Sequence, residues 1–319
     1  MSSWLPALGR RLVVAGVVLW VVSLIVFALL YVSPGDPALV LLGDAPPSAT
    51  TIAAVRRAYH LDRPLAAQYA IWLESAARLN FGTSIRTREP VGQAVSSRGA
   101  VSAFLLTYAA AIALGVGVAL GLLAALHVAS PLDRAIVAVS LIGNSTPAFV
   151  SGLVLLYAFG IVVPAFPVFG PGRGFLDELW HLTLPAVALA LTGLALVIKL
   201  TRAAVITTLD QDYTAFARAR GLPWTHVLWA YAVRNSLNAI VTVGGLAVLR
   251  LFSWLVIVEV TFALPGVGAL LVDSVNFKDI PVVQALGMLT AVLVVGVNFL
   301  IDILYEVIDP RVRLTQVAA

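Results

Sequence analysis

Apolar residues run along this chain in six long blocks, at 12–32, 99–128, 135–172, 182–198, 235–258 and 280–301, and only Arg250 puts a charge inside one of them. Each block approaches or exceeds the roughly 20 residues that a helix needs to cross about 30 Å of hydrocarbon. The pattern predicts six membrane-spanning helices, with both termini on one side. The third block is too long for one span, so Pro164, Pro167 and the Pro171-Gly172 turn should mark its exit into a loop. Within that block Gly143-Asn-Ser-Thr-Pro147 interrupts the apolar run, and polar or helix-breaking residues in lipid belong on protein or water faces. Helices three to five are therefore expected to line any path, with Asn144 and Ser145 on it. Arg10 and Arg11 before the first block resemble the start of a signal peptide. The apolar run is about twice the usual 7–15 residues, however, and no small-x-small site follows it directly, so it reads as a retained helix.

Two polar stretches carry structure of their own. In 33–98, Asp36-Pro37 reads as a helix cap followed by proline at the first helical position. Amphipathic helices follow at 48–60 and 64–79, the second with Leu65, Tyr69, Trp72, Leu73 and Ala76 at helical spacing. A small folded cap on the membrane surface is expected. In 201–235, Asp212 can cap a short helix through Arg220, Gly221 can end it in a left-handed conformation, and Pro223 can start the next. That helix, turn and helix would expose Tyr213, Phe216 and Ala217 beside Arg218 and Arg220. Such a surface suits a protein partner, and it equally suits a pair of interfacial helices lying on lipid.

Composition narrows the class. Of 319 residues 61% are hydrophobic and 11% charged, against about 45–50% and 25% in soluble domains. That excludes an ordinary soluble enzyme. The net charge of +4 points to no nucleic acid, but the placement of its cations orients the chain, because short cytoplasmic loops collect Lys and Arg. With the N-terminus inside, Arg10, Arg11, Arg134, Lys199, Arg202, Arg218, Arg220, Arg234, Arg311 and Arg313 are cytoplasmic, and the short outer loops hold Arg173 and Lys278. The long segment 33–98 is exempt by its length, and it carries Asp36, Asp44, Asp62, Glu74 and Glu89 among its arginines. The orientation is N-in, C-in. Absence of Cys removes disulfides, thiolate metal sites and cysteine nucleophiles.

Catalytic groups are missing. There is no G-x-x-x-x-G-K-[ST] phosphate loop and no H-E-x-x-H, and His60, His127, His181 and His226 lie apart without ligand spacing. Ser140, Ser145 and Ser151 have no His or Lys within a span to activate them, and Glu259, Asp302 and Glu306 lie near span ends. An intramembrane enzyme has nothing to work with. An ion-driven carrier would call for inverted repeats or intramembrane acids along an ion path, and neither is evident.

Arg250 is the residue that lipid tolerates least, at roughly +2.5 to +3.5 kcal/mol on insertion scales when central. Glu259 stands about 13 Å along the axis on the opposite face, out of reach on a straight helix. Asp302 and Glu306 lie near the cytoplasmic end of helix six, at another depth. Two readings remain: Arg250 faces an aqueous path, where Trp254 at i+4 could stack on it and a carboxylate could meet both, or a partner acid or backbone carbonyls satisfy it.

Behind the first block stand Ser33-Pro-Gly-Asp-Pro37, Leu61-Asp-Arg-Pro-Leu65 with Gln68-Tyr69, and Phe81-Gly-Thr-Ser84; the cytoplasmic loop reads Asp212-Tyr213, Ala217-Arg-Ala-Arg-Gly-Leu-Pro223 and Arg234-Asn-Ser-Leu237. Glu259-Val-Thr-Phe262, Pro265-Gly-Val-Gly268 and Asn298, Asp302, Tyr305 and Asp309-Pro-Arg-Val-Arg313 follow. In order and spacing, over nearly the whole chain, these motifs resemble the outer loop, the EAA loop and the C-terminal third of the permease subunits of bacterial dipeptide and oligopeptide ATP-binding-cassette importers. The resemblance implies an all-α, six-helix type I importer permease in the bacterial inner membrane, a single domain over 1–319. Its outer loop would be 33–98 and its coupling loop 201–235. It implies as partners a second homologous permease, two cytoplasmic ATPases that bind ATP and Mg2+, an extracytoplasmic solute-binding protein and the membrane lipid, with no cofactor in this chain. Asp212, Ala215, Phe216, Ala217, Arg218, Ala219, Arg220, Gly221, Leu222 and Pro223 would seat on an ATPase. The same family includes permeases for nickel chelates, glutathione, haem and oligosaccharides. Ala215, Phe216 and Ala217 lack the glutamate of the generic motif, Tyr231-Ala-Val-Arg234 replaces its I-x-L-P, and Asn80 stands where Asp is frequent. Arg250 and Trp254 occupy a stretch where the family commonly keeps small residues.

Overall fold

A computed structural model describes residues 4–32, 35–43 and 46–308, with side chains over 9–304 of these. The helix α1 covers Trp4–Val32. Three short helices follow: α2 (Pro37–Leu42), α3 (Ala49–Ala58) and α4 (Leu65–Ala77). Next come α5 (Val91–Leu126), α6 (Pro131–Ser145) and α7 (Ala148–Leu156), which widens into a π-helical turn over Tyr157–Val162. The long α8 (Phe175–Leu209) precedes α9 (Asp212–Ala219). Then α10 (Trp224–His226) passes through π-helical Val227–Val233 directly into α11 (Arg234–Thr261). Finally α12 (Val267–Asn276) precedes α13 (Ile280–Ile308). The described residues contain no strand, only an isolated bridge between Thr83 and Pro90.

Five helical stretches, Gly9–Val32, Val91–Leu126, Phe175–Leu209, Trp224–Thr261 and Ile280–Leu304, are each long and apolar enough to span. The third expected span is instead the pair Pro131–Ser145 and Ala148–Val162, bent by 102° at its break. The break follows from Pro147, which has no N–H to give and pushes Thr146 out of the helical region, to ψ 126. The helix, turn and second helix expected in 201–235 are present, but the second helix is not confined to the loop and runs into span five. The first turns of that span are the second helix of the loop, continuous to Thr261 because Val227, Leu228 and Ala232 are buried. The polar Tyr231, Arg234 and Asn235 read as loop, yet they lie on a helix that Leu228 and Ala232 hold against Ala125 and Val205.

The chain forms two units, residues 1–100 with 265–296 and residues 101–264 with 297–319. In the first unit, Asp36 caps α2 by accepting from the Ala38 N–H at 2.9 Å. That bond, and then the Arg56 guanidinium at 2.6 Å, hold its carboxyl below the usual carboxylate range. Ser48 and Thr51 form a reciprocal capping box at the start of α3. The segment is folded: the rings of Phe27, Tyr31, Tyr69, Trp72 and Phe81 make one cluster, with neighbouring centroids 5.4–6.5 Å apart. Trp72 Nε1 donates to Gln284 Oε1 at 3.1 Å, tying α4 to α13. The buried Asp279 accepts from Ser84 Oγ and from the Ile85 N–H at 3.0 Å, fixing the loop before α5. Ser33, Pro34, Asp44 and the 309–313 motif lie outside the described residues, as do the side chains of Tyr305 and Glu306.

The second unit is organised around α8, whose small residues let neighbours approach closely. Gly117 and Gly121 form a small-xxx-small pair on α5: a Cβ at Gly117 would stand 2.7 Å from Val197, and one at Gly121 2.8 Å from the Ile198 carbonyl oxygen. Lipid offers no hydrophobic drive between helices, so close backbone packing of this kind carries association. Leu105, Ala109 and Ala113 of α5, Leu182 and Leu189 of α8, and Leu251, Leu255 and Val258 of α11 form the core. Near the start of α6, Asp133 takes Arg202 in a two-pronged ion pair at 2.6 and 2.7 Å and also accepts from the Ala129 N–H. That pair fastens the short α5–α6 turn to α8.

Candidate functional site

The loop after α8 is a compact knob. Gln211, extended at φ −75 and ψ 148, precedes α9, and no side chain caps the helix. This corrects Asp212 as the cap: it is the first helical residue, where its charge still favours the positive helix end. Thr214 and Ala217, three residues apart, turn inward, and Thr214 Oγ1 donates to the Thr208 carbonyl at 2.9 Å. Ala217 is therefore not exposed beside Phe216 as expected, but seated at 3% exposure. The outward face carries Tyr213 and Phe216, 42% and 65% exposed, with Asp212, Ala215, Arg218, Ala219 and Arg220 also exposed.

Gly221 turns the chain at φ +75, and its N–H donates to the Arg218 carbonyl at 2.9 Å. The left-handed conformation costs an L side chain about 1–2 kcal/mol, which explains glycine here. Leu222 is half-buried, and Pro223 immediately precedes α10, as its fixed φ suits. Arg218 lies 4.7 Å over the Trp224 ring and Arg220 5.9 Å over Phe216. Tyr231 stacks with Tyr213 and meets His226 edge-on. Ring and guanidinium contacts thus brace both arms of the turn.

The intramembrane candidates lie on other elements. Arg250 is half-buried on α11, beside a stripe that exposes Leu246, Ile257 and Val260. Its guanidinium makes no hydrogen bond or ion pair with a described residue. The stacking on Trp254 that one of the two readings allowed is not found: among the described residues guanidinium groups lie over Phe277, Trp224 and Phe216. Trp254 instead packs on the core around Leu251 and Leu255, which takes up its ring. Asn144 and Ser145 end α6 at the 102° break, and neither hydrogen-bonds Arg250. The Asn144 Oδ1 atom is buried with no hydrogen-bond donor among the described residues. Glu259, fully buried near the end of α11, accepts from Ser102 Oγ. Sequence reasoning missed Gly117 and Gly121, although their four-residue spacing was visible, and missed Asp133 with Arg202, whose pairing across 69 residues has no local signal.

The model of the binding-protein-dependent transport system inner membrane component matches residues 117–314, and that of its N-terminal membrane component matches residues 5–105. The chain belongs to this family of permeases. The permease is 36% identical over 309 residues, 95% of its length and 98% of the relative's, to the probable peptide ABC transporter permease protein y4tP of Sinorhizobium fredii. It is 35% identical, over 97% of its length and 99% of the relative's, to the di/tripeptide transport system permease protein DppB of Pseudomonas aeruginosa. Its fold is that of the inward-facing MetNI methionine ABC transporter, with TM-score 0.54 at 14% identity over 66% of this chain and 93% of the other. The permease is thus a multi-pass inner membrane protein with the type I importer fold, and a transport subunit by family. Permeases of this family work with a solute-binding protein and an ATPase.

Proposed function

We propose that this permease forms half of the transmembrane path of an ATP-driven importer for di- or oligopeptides. The observation that carries the reading is full-length similarity at 35–36% identity to permeases named for peptide transport. The second half would be a homologous permease, and two cytoplasmic ATPases would bind ATP and Mg2+, since this sequence has no phosphate-binding loop of its own. The knob from Asp212 to Pro223 supplies a seat for an ATPase: an exposed aromatic and basic face on a braced turn. Closure of the ATPases would move the knob and bias the spans between inward-open and outward-open arrangements.

In this reading Arg250 meets the carboxylate of the passing peptide. It is an intramembrane cation that no described residue satisfies, and it adjoins an exposed stripe of α11. Asn144 and Ser145, at the break of α6, are assigned to the same path. Uptake of a dipeptide and of its C-terminal amide by the Arg250→Ala transporter tests the assignment. The expected result is about a tenfold loss for the free acid, equivalent to roughly 1.4 kcal/mol, and little change for the amide. Equal rates for both substrates in the parent and in the variant would reject a carboxylate role for Arg250.

A further inference from the structure

A lateral groove opens on the second unit, about 270 Å3 in volume, lined by Leu120 of α5, Ala135, Ile136, Val139, Ser140 and Gly143 of α6, and Leu191, Leu194 and Ile198 of α8. We propose that it is a binding site for an anionic phospholipid of the cytoplasmic leaflet, one acyl chain in the groove and the headgroup against Arg134 and Lys199. The proposal needs only the membrane insertion and orientation of the permease, so it does not rest on the peptide reading.

The lining is suited to hydrocarbon. Its one hydroxyl, Ser140 Oγ, already donates to the Val137 carbonyl at 2.8 Å, so the groove offers no unsatisfied polar atom to water. Val139 is 69% exposed, so the groove is open along its side rather than sealed.

Depth selects the leaflet. The turn between α5 and α6 and the end of α8 that leads to the knob are both on the side that the short-loop cations make cytoplasmic. Ala135 lies one turn into α6 and Gly143 about 12 Å deeper, while Leu191 lies about 10 Å deeper than Ile198 along α8. The groove therefore runs inward from the cytoplasmic headgroup level.

Charge selects the headgroup. Arg134 directly precedes the lining residue Ala135, and Lys199 directly follows Ile198; both are exposed. Neither makes an ion pair within 4 Å with a described residue, and Arg134 acts on the adjacent Asp133 only through its field. The neighbouring Arg202 is already neutralised by Asp133, which leaves these two cations for a phosphate. Basic residues between spans at the cytoplasmic face are the arrangement that holds anionic headgroups.

The chain has no cysteine, so Val139→Cys places a single bimane label at the groove mouth. The labelled full-length permease is reconstituted in phosphatidylcholine vesicles containing equal fractions of either brominated phosphatidylglycerol or brominated phosphatidylcholine. Quenching by the brominated phosphatidylglycerol is expected to be at least twofold stronger. The preference should vanish in Arg134→Gln/Lys199→Gln, and Gly143→Leu, whose side chain grows into the groove, should weaken quenching by both lipids. Equal quenching by the two lipids, or a preference that survives removal of both cations, overturns the proposal. So does cross-linking of Val139→Cys to another polypeptide in most chains of native membranes, which would assign the groove to a protein helix.

Discussion

Gly221→Pro is expected to abolish uptake, by more than about tenfold, while the permease remains in the membrane. Proline fixes φ near −65° and has no N–H, whereas Gly221 sits at φ +75 and donates to the Arg218 carbonyl at 2.9 Å. The substitution therefore loses the turn and its hydrogen bond together. It also separates the two aromatic and basic arms that brace each other through Arg218 and Trp224. The spans are untouched, because Gly221 is exposed and a Cβ there would meet nothing within 4 Å. Asparagine tolerates the left-handed region, so Gly221→Asn should retain most of the uptake. Membrane content, uptake and co-purifying ATPase measured side by side test this. Normal uptake by Gly221→Pro would remove the knob from the coupling role proposed for it.

Gly121→Val is expected to deplete the folded permease itself. A Cβ at Gly121 would lie 2.8 Å from both the Ile198 carbonyl oxygen and Thr201 Cβ, and a backbone oxygen has no rotamer with which to yield. Overpacking of this kind typically costs about 1–3 kcal/mol. Here it forces α5 away from α8 and opens the seam that also buries Val197 and Val205. Monodisperse yield in mild detergent should fall several-fold, and the remainder should unfold at lower temperature. Gly115→Val is the matched control, since a Cβ at Gly115 meets nothing within 4 Å. If both variants behave alike, close approach at Gly121 is not what holds this seam.

The spans were legible because lipid demands long uncharged runs, and the caps at Asp36 and Ser48 because their hydrogen bonds are made within three residues. What the sequence did not reveal depends on partners distant along the chain. Pro147 announces a break, but the 102° angle of the bend has no signal in the residues around it. Asp212 looked like a cap because it is a good one chemically, yet Thr214 and Ala217 seat α9 so that Gln211 takes that position. Arg250 and Trp254 were placed together by their spacing, but Trp254 packs on the core around Leu251 and Leu255 rather than on the guanidinium. The buried Asp279, held by Ser84 and the Ile85 N–H, joins residues nearly two hundred positions apart.

The continuity of Trp224–Thr261 has a mechanical meaning. The arm that leaves the knob at Pro223 and the shaft that carries Arg250 are one continuous helix, so in the coupling role proposed for the knob its displacement would be carried into the span through the wide turn between them. The wide turn at Val227–Val233 holds one more residue per hydrogen-bonded loop than the shaft does. Its migration by a residue would change the angular phase of everything beyond it. The cation's facing would then be geared to the knob, and the two would share a single stroke.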